Sequence, residues 1–96
     1  MRFYHFKGGD DFNFDAHIFG RTPERACELF LIYLLLNEQR DDQMLWREVD
    51  PNEFGGPDRA RLCQTLSLDV EGVASHDPER GWWPVPPHIH SHEGNE

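Results

Sequence analysis

The chain reads as an α+β fold: a small antiparallel sheet built from two β-hairpins, with two helices packed on one face, in the order β-β-α-α-β-β. Three features predict it. Two aromatic-rich runs flank Gly8-Gly9-Asp10-Asp11, a helix start at Thr22-Pro23 opens a strongly apolar run, and a second pair of extended segments surrounds Asp77-Pro78-Glu79-Arg80-Gly81. With 96 residues, one hydrophobic core is expected, and seven Phe, three Trp and two Tyr supply large side chains to fill it. The expected domain is residues 1–87, followed by a flexible histidine-rich tail at 88–96.

The first hairpin joins Arg2 to Lys7 with Phe12 to Phe19. In the second run Phe12, Phe14, Ala16 and Ile18 alternate with Asn13, Asp15 and His17, the period of a strand with one buried and one wet face. His17 is therefore expected on the polar side with Asp15, while Phe19 falls out of phase. Thr22 can cap free helix amides, Pro23 suits the first helical position, and Glu24 suits the positive end of the helix dipole. The helix that follows, at 23–38, is apolar around most of its circumference, so its outer face needs cover from the second helix or from a partner, a second copy of the chain included.

For Met44 to Val49 the propensities do not decide, and the reading leans to helix or irregular structure. Asp50-Pro51-Asn52-Glu53 and Gly55-Gly56-Pro57 are turn-forming clusters. A second helix is expected from about Asp58 to Leu68, with Ala60, Leu62, Cys63, Leu66 and Val70 forming the face that covers the first helix. Cys27 and Cys63 are expected as buried free thiols. Val73 to His76 and Trp82 to Val85 form the last hairpin, where Gly81 suits a left-handed closing position and Pro84 confines its strand to a sheet edge.

A formal charge of −9, from 18 acids against nine bases, disfavours direct binding to nucleic acid or an anionic membrane. The same field attracts a protein partner with a basic surface. Eight of the nine bases are Arg, which suggests a GC-rich source, and MRFYHFKGG lacks the apolar stretch of an export signal, so a cytoplasmic protein is expected. The sequence contains no phosphate-binding glycine loop, Cys-x-x-Cys or nucleophile elbow, and a non-enzymatic role is expected.

Acids concentrate in two places. Glu38 to Asp58 holds Glu38, Asp41, Asp42, Glu48, Asp50, Glu53 and Asp58 against Arg40 and Arg47, and Asp10, Asp11 and Asp15 lie around the first turn. The expected partner-binding residues are Asp10, Asp11, Asp15, Asp41, Asp42, Trp46, Glu48, Asp50, Glu53 and Phe54. Carboxylates so spaced can imitate phosphates in a basic groove, and Trp46 and Phe54 serve either as aromatic anchors or as core plugs. Small size, acidity and missing catalytic motifs resemble, in type only, the small inhibitors that phages and mobile elements encode against host defences, anti-CRISPR proteins among them.

The alternative is a metal-binding or regulatory module. His88, His90 and His92 share one face of an extended segment and could converge weakly on zinc or nickel; no other cofactor is expected. Gly81, His88, His90 and Glu93 also resemble the first metal motif of the cupin family, in which Gly precedes His-x-His and then Glu. A cupin needs further strands and another downstream histidine, so that family's metal and activity are not expected here.

Overall fold

The N-terminal aromatic runs pair as expected: β1 (Arg2–Gly8) lies antiparallel to β2 (Phe14–Gly20), with Tyr4 opposite Ile18 and Phe6 opposite Ala16. The computed structural model describes residues 1–79 and 81–89. Phe12, expected to begin the second strand, instead has a left-handed φ of 56° in a 3₁₀ turn over Asp10–Phe12. Short-range bonds from Phe12 N to Gly9 O and from Asn13 N to Asp10 O hold it there.

Helix α1 (Pro23–Leu36) starts where the sequence says, with the Thr22 side chain accepting from the Arg25 amide at 3.1 Å. Its inner face, Ala26, Leu29, Phe30, Tyr33 and Leu34, packs on Tyr4, Phe6, Ile18 and Val73 to form the first core. The stacked rings of Phe6 and Phe30, 5.1 Å apart, lie near its centre.

Two expectations are corrected here. Met44–Glu48 is a strand, β3, which pairs antiparallel with the outer edge of β1. An edge strand satisfies its amides through that ladder, and Trp46 leans on the rings of Tyr4 and Phe6 at 5.9 and 6.0 Å. The element order is therefore β-β-α-β-α-β-β, and the sheet order is β3-β1-β2-β4-β5, where β4 is Gly72–Asp77 and β5 is Gly81–Val85.

The second correction concerns helix α2 (Gly56–Ser67), which does not cover α1. Its Leu62 and Leu66 pack with Phe3, Phe19, Val49, Phe54, Ala74 and Trp82 in a separate core. Successive strand residues point to opposite faces, so Phe3 and Phe19 lie on the side away from Tyr4 and Ile18. The two helices thus sandwich the sheet. The buried stripe of α2 is also rotated from the expected one: Leu62 and Thr65 are buried, whereas Cys63 is exposed and Cys27 half-buried, both as free thiols. On α1, Ile32, Leu35 and Leu36 remain exposed.

The second hairpin closes as expected, through Gly81 at φ 78°, and Pro84 lies on the edge strand opposite Ala74. Where β4 begins, only glycine fits: a Cβ on Gly72 would come within 2.5 Å of the Val85 carbonyl oxygen. Between β2 and β4 the pairing is limited to Ile18 with Val73 and Phe19 with Gly72. Among the described residues, no helix is long and apolar enough to cross a membrane.

Candidate functional site

Antiparallel pairing fixes which loops meet. β1 and β4 end, and β2, β3 and β5 begin, at the same end of the sheet, so the turn at Asp10–Phe12 and the segment entering β3 are neighbours. A hydrogen bond from the Asp10 amide to Gln39 Oε1 at 3.3 Å ties them together. The consequence is electrostatic. Asp10, Asp11 and Asp42 act on one guanidinium, that of Arg40, whose Nη2 lies 2.8 Å from Asp42 Oδ2, and Glu38 and Asp41 lie in the same connecting segment. That contact holds the Asp42 carboxyl below its usual range. Asp10, Asp11, Glu38 and Asp41 form no ion pair with a described residue. The C-terminus of α1 also points here with no basic residue in its last turn, which adds the negative end of its dipole.

At the opposite end, several carboxylates meet arginines. Arg21 meets Asp69 at 3.0 Å, Arg25 meets Glu71 and Glu28 at 2.8 and 2.9 Å, and Arg47 meets Glu53 at 3.0 Å. Arg2 lies 3.7 Å from Glu48. Hydrogen bonding by Arg21 lowers the Asp69 pKa, and Arg47 together with the Asp50 amide lowers that of Glu53. Asp50 and Glu53 form a capping box on the short 3₁₀ turn Pro51–Glu53.

The ten residues expected to bind a partner therefore divide. Asp10, Asp11, Asp41 and Asp42 come together on the acidic end. Glu48, Asp50 and Glu53 lie at the paired end, engaged by Arg2, Arg47 and backbone amides. Phe54 is half-buried, edge-on to Phe3 and Trp82 at 6.4 Å in the second core. Trp46 is half exposed on the β3 edge, beside a recess lined by Pro23, Glu24 and Cys27. Asp15, the second residue of β2, lies near the acidic end, with its carboxylate 3.5 Å from His5 Nε2 and lining a cleft between β2 and β4.

That cleft has a volume of about 430 Å³ and is lined by Asp15, His17, Tyr33, Ser75, Trp82 and His88 among others. Comparison with known proteins adds no relative: no family model matches the chain, and no curated protein or solved structure is similar to it. The site is thus read from its own chemistry. His17 is not on a wet face as expected; its ring is stacked between His5 at 4.4 Å and Phe3 at 5.1 Å, with Trp82 at 4.7 Å. Burial, reinforced by the neighbouring His5 and by Arg47 and opposed by Asp15, lowers His17 to about 4, so it is neutral at physiological pH.

Of the three tail histidines, His88 is held against the end of α1: Asn37 Nδ2 donates to its carbonyl at 2.9 Å, its ring sits 5.4 Å from that of Tyr33, and its Nδ1 lies 2.9 Å from Pro86 O. His90, His92 and Glu93 lie outside the described residues, so the expected metal triad and the cupin-like run can be followed only to His88. Among the described residues no group of three potential ligands converges on a metal position.

Proposed function

We propose that this chain is a non-enzymatic binding protein of the cytoplasm whose acidic end occupies a basic, nucleic-acid-binding surface on another protein. An inhibitor of a host defence complex, encoded by a phage or mobile element and anti-CRISPR-like in type, fits that role. The observation that carries the reading is segregation of charge: Asp10, Asp11, Glu38, Asp41 and Asp42 share one end with Arg40 and Lys7, while at the opposite end Glu48, Glu53, Asp69 and Glu71 each meet an arginine. Exposed carboxylates gathered at one end create a negative field that steers a basic partner to that surface.

The test is capture from bacterial lysate by the N-terminally tagged protein at low and high salt, set beside a variant with Asp10, Asp11 and Asp41 changed to Lys. A nucleic-acid-binding complex retained at low salt, weakened at high salt and lost by the variant supports the reading. Capture that the variant retains in full overturns it.

A second contact is favoured by a separate observation. Ile32, Leu35 and Leu36 of α1 are exposed because α2 covers the other face of the sheet. We propose that a second copy of the chain packs there, a dimer that Leu35→Glu converts to monomer in sedimentation; a wild-type protein that is monomeric at millimolar concentration overturns it.

A further inference from the structure

The fork between β2 and β4 interrupts an otherwise regular ladder. Continuing the register beyond Ile18 and Val73 would set His17 opposite Ala74, Ala16 opposite Ser75 and Asp15 opposite His76, yet none of these pairs forms. The strands part instead toward the acidic end, and the cleft fills the opening. Its volume of about 430 Å³ falls within the range of small-ligand sites, about 300–1,000 Å³.

Beside the Tyr33 hydroxyl, the Trp82 indole N–H and His88, three groups lining the cleft can accept hydrogen bonds. Asp15 contributes a carboxylate, Ser75 a hydroxyl, and His17 a neutral imidazole with a lone pair. Burial and the nearby Asp15 charge together raise the Tyr33 pKa, so the carboxylate's field reaches the far wall. Neither Lys nor Arg lines the cleft; His5 Nε2 lies 3.5 Å from Asp15, and Lys7 is its cross-strand neighbour on β1. Trp82 and Tyr33, which also line the cleft, are flat and aromatic and come from the two faces of the sheet, so the cleft opens through the gap between the strands.

A guanidinium is the complement of such a lining: it is planar, permanently charged, carries five N–H donors and no acceptor, and is less strongly hydrated than an ammonium. We propose that the β2–β4 cleft receives an arginine side chain of the basic partner, hydrogen-bonded to Asp15 and flanked by Trp82 and Tyr33. This rests on the reading that the acidic end faces a basic protein and assigns a specific subsite within that contact. The carboxylates around Arg40 supply long-range attraction, and the cleft supplies recognition of side-chain shape.

The test needs no partner. N-acetyl-arginine amide is titrated into the full-length protein while backbone amides and the Trp82 indole are followed by NMR. Saturable shifts are expected at 15–17, 74–76 and the Trp82 indole. N-acetyl-citrulline amide, the uncharged isostere, and the Asp15→Asn variant should each weaken the interaction about tenfold, the scale of one charge-assisted hydrogen bond. Ser75→Ala gives a smaller loss and serves as the second variant if Asp15→Asn fails to retain the wild-type spectrum away from the cleft. Equal shifts with citrulline, or with N-acetyl-lysine amide, overturn the assignment. Shifts confined to 10–11 and 38–42 overturn the cleft assignment while leaving the acidic-end reading intact.

Discussion

The two ends of this sheet carry the same kind of side chain to different effect. At one end Glu71, only 15% exposed, accepts from Arg25 Nε at 2.8 Å and from the Arg21 amide at 3.2 Å, joining the loop before β4 to the start of α1. Asp69 and Glu53 are similarly engaged with arginine. At the other end Asp10, Asp11 and Asp41 are exposed and hold no such partner among the described residues. Carboxylates in the first group help position elements, whereas those in the second are exposed and form no ion pair with a described residue. Exposed carboxylates without a counter-charge are open to an external cation.

The sharpest way to break this contrast is charge reversal. Asp10→Lys, Asp11→Lys and Asp41→Lys together should weaken capture of a basic partner by about a hundredfold at low salt, an effect that shrinks as salt screens the attraction. Replacing Glu28 and Glu48 at the paired end should leave capture within about threefold, because those positions lie outside the acidic surface. A binding assay over a salt series distinguishes the two.

Stability should respond in the opposite sense. Glu71→Ala should lower unfolding free energy by about 1 kcal/mol through lost charge-assisted bonds, whereas Asp41→Asn should change it by no more than about 0.5 kcal/mol and in the stabilising direction. Urea denaturation checks both, and a larger loss for Asp41→Asn would erase the distinction between the ends.

Between the ends, His17 makes the fold sensitive to acid. Its folded pKa of about 4 lies below the unfolded value of 6.5, so the unfolded chain binds the proton first as pH falls. Its contribution is fully present above about pH 6.5 and is lost progressively down to about pH 4, at no more than about 1.4 kcal/mol per pH unit. His17→Phe should flatten that part of the stability profile. An unchanged slope in the variant would assign it to other groups.

The sequence made local structure readable and left non-local structure hidden. The α1 cap and the Gly81 turn each depend on residues within a few positions, and both occur where the pattern places them. β3 was not readable because its stability comes from a ladder with β1, some forty residues earlier, and Met44 to Val49 has no strong propensity of its own. The opposite placement of the helices did leave a trace: Phe3 beside Tyr4, and Ile18 beside Phe19, put apolar side chains on both faces at one end of the sheet, a sign of cover on each side. Phe19, out of phase with Phe14, Ala16 and Ile18, is the residue that carries this sign in β2.

The acidic surface was half visible. Asp10, Asp11, Asp41 and Asp42 were identifiable as charge clusters, but only the β1–β2 and β1–β3 pairings bring them together. Glu48, Asp50 and Glu53 looked equivalent in sequence and differ because Arg2, Arg47 and a capping box engage them. Nothing local marks the cleft, which arises where β2 and β4, more than fifty residues apart, stop pairing.

The most direct test of the central claim maps amide shifts across the whole protein as an arginine-rich peptide is added at low salt. Shifts concentrated at 10–11, 38–42, 15–17 and 74–76, with 21, 47, 53 and 69–71 unmoved, are what the charge segregation predicts. Shifts of equal size at both ends would contradict it, showing that a basic ligand responds to net charge alone.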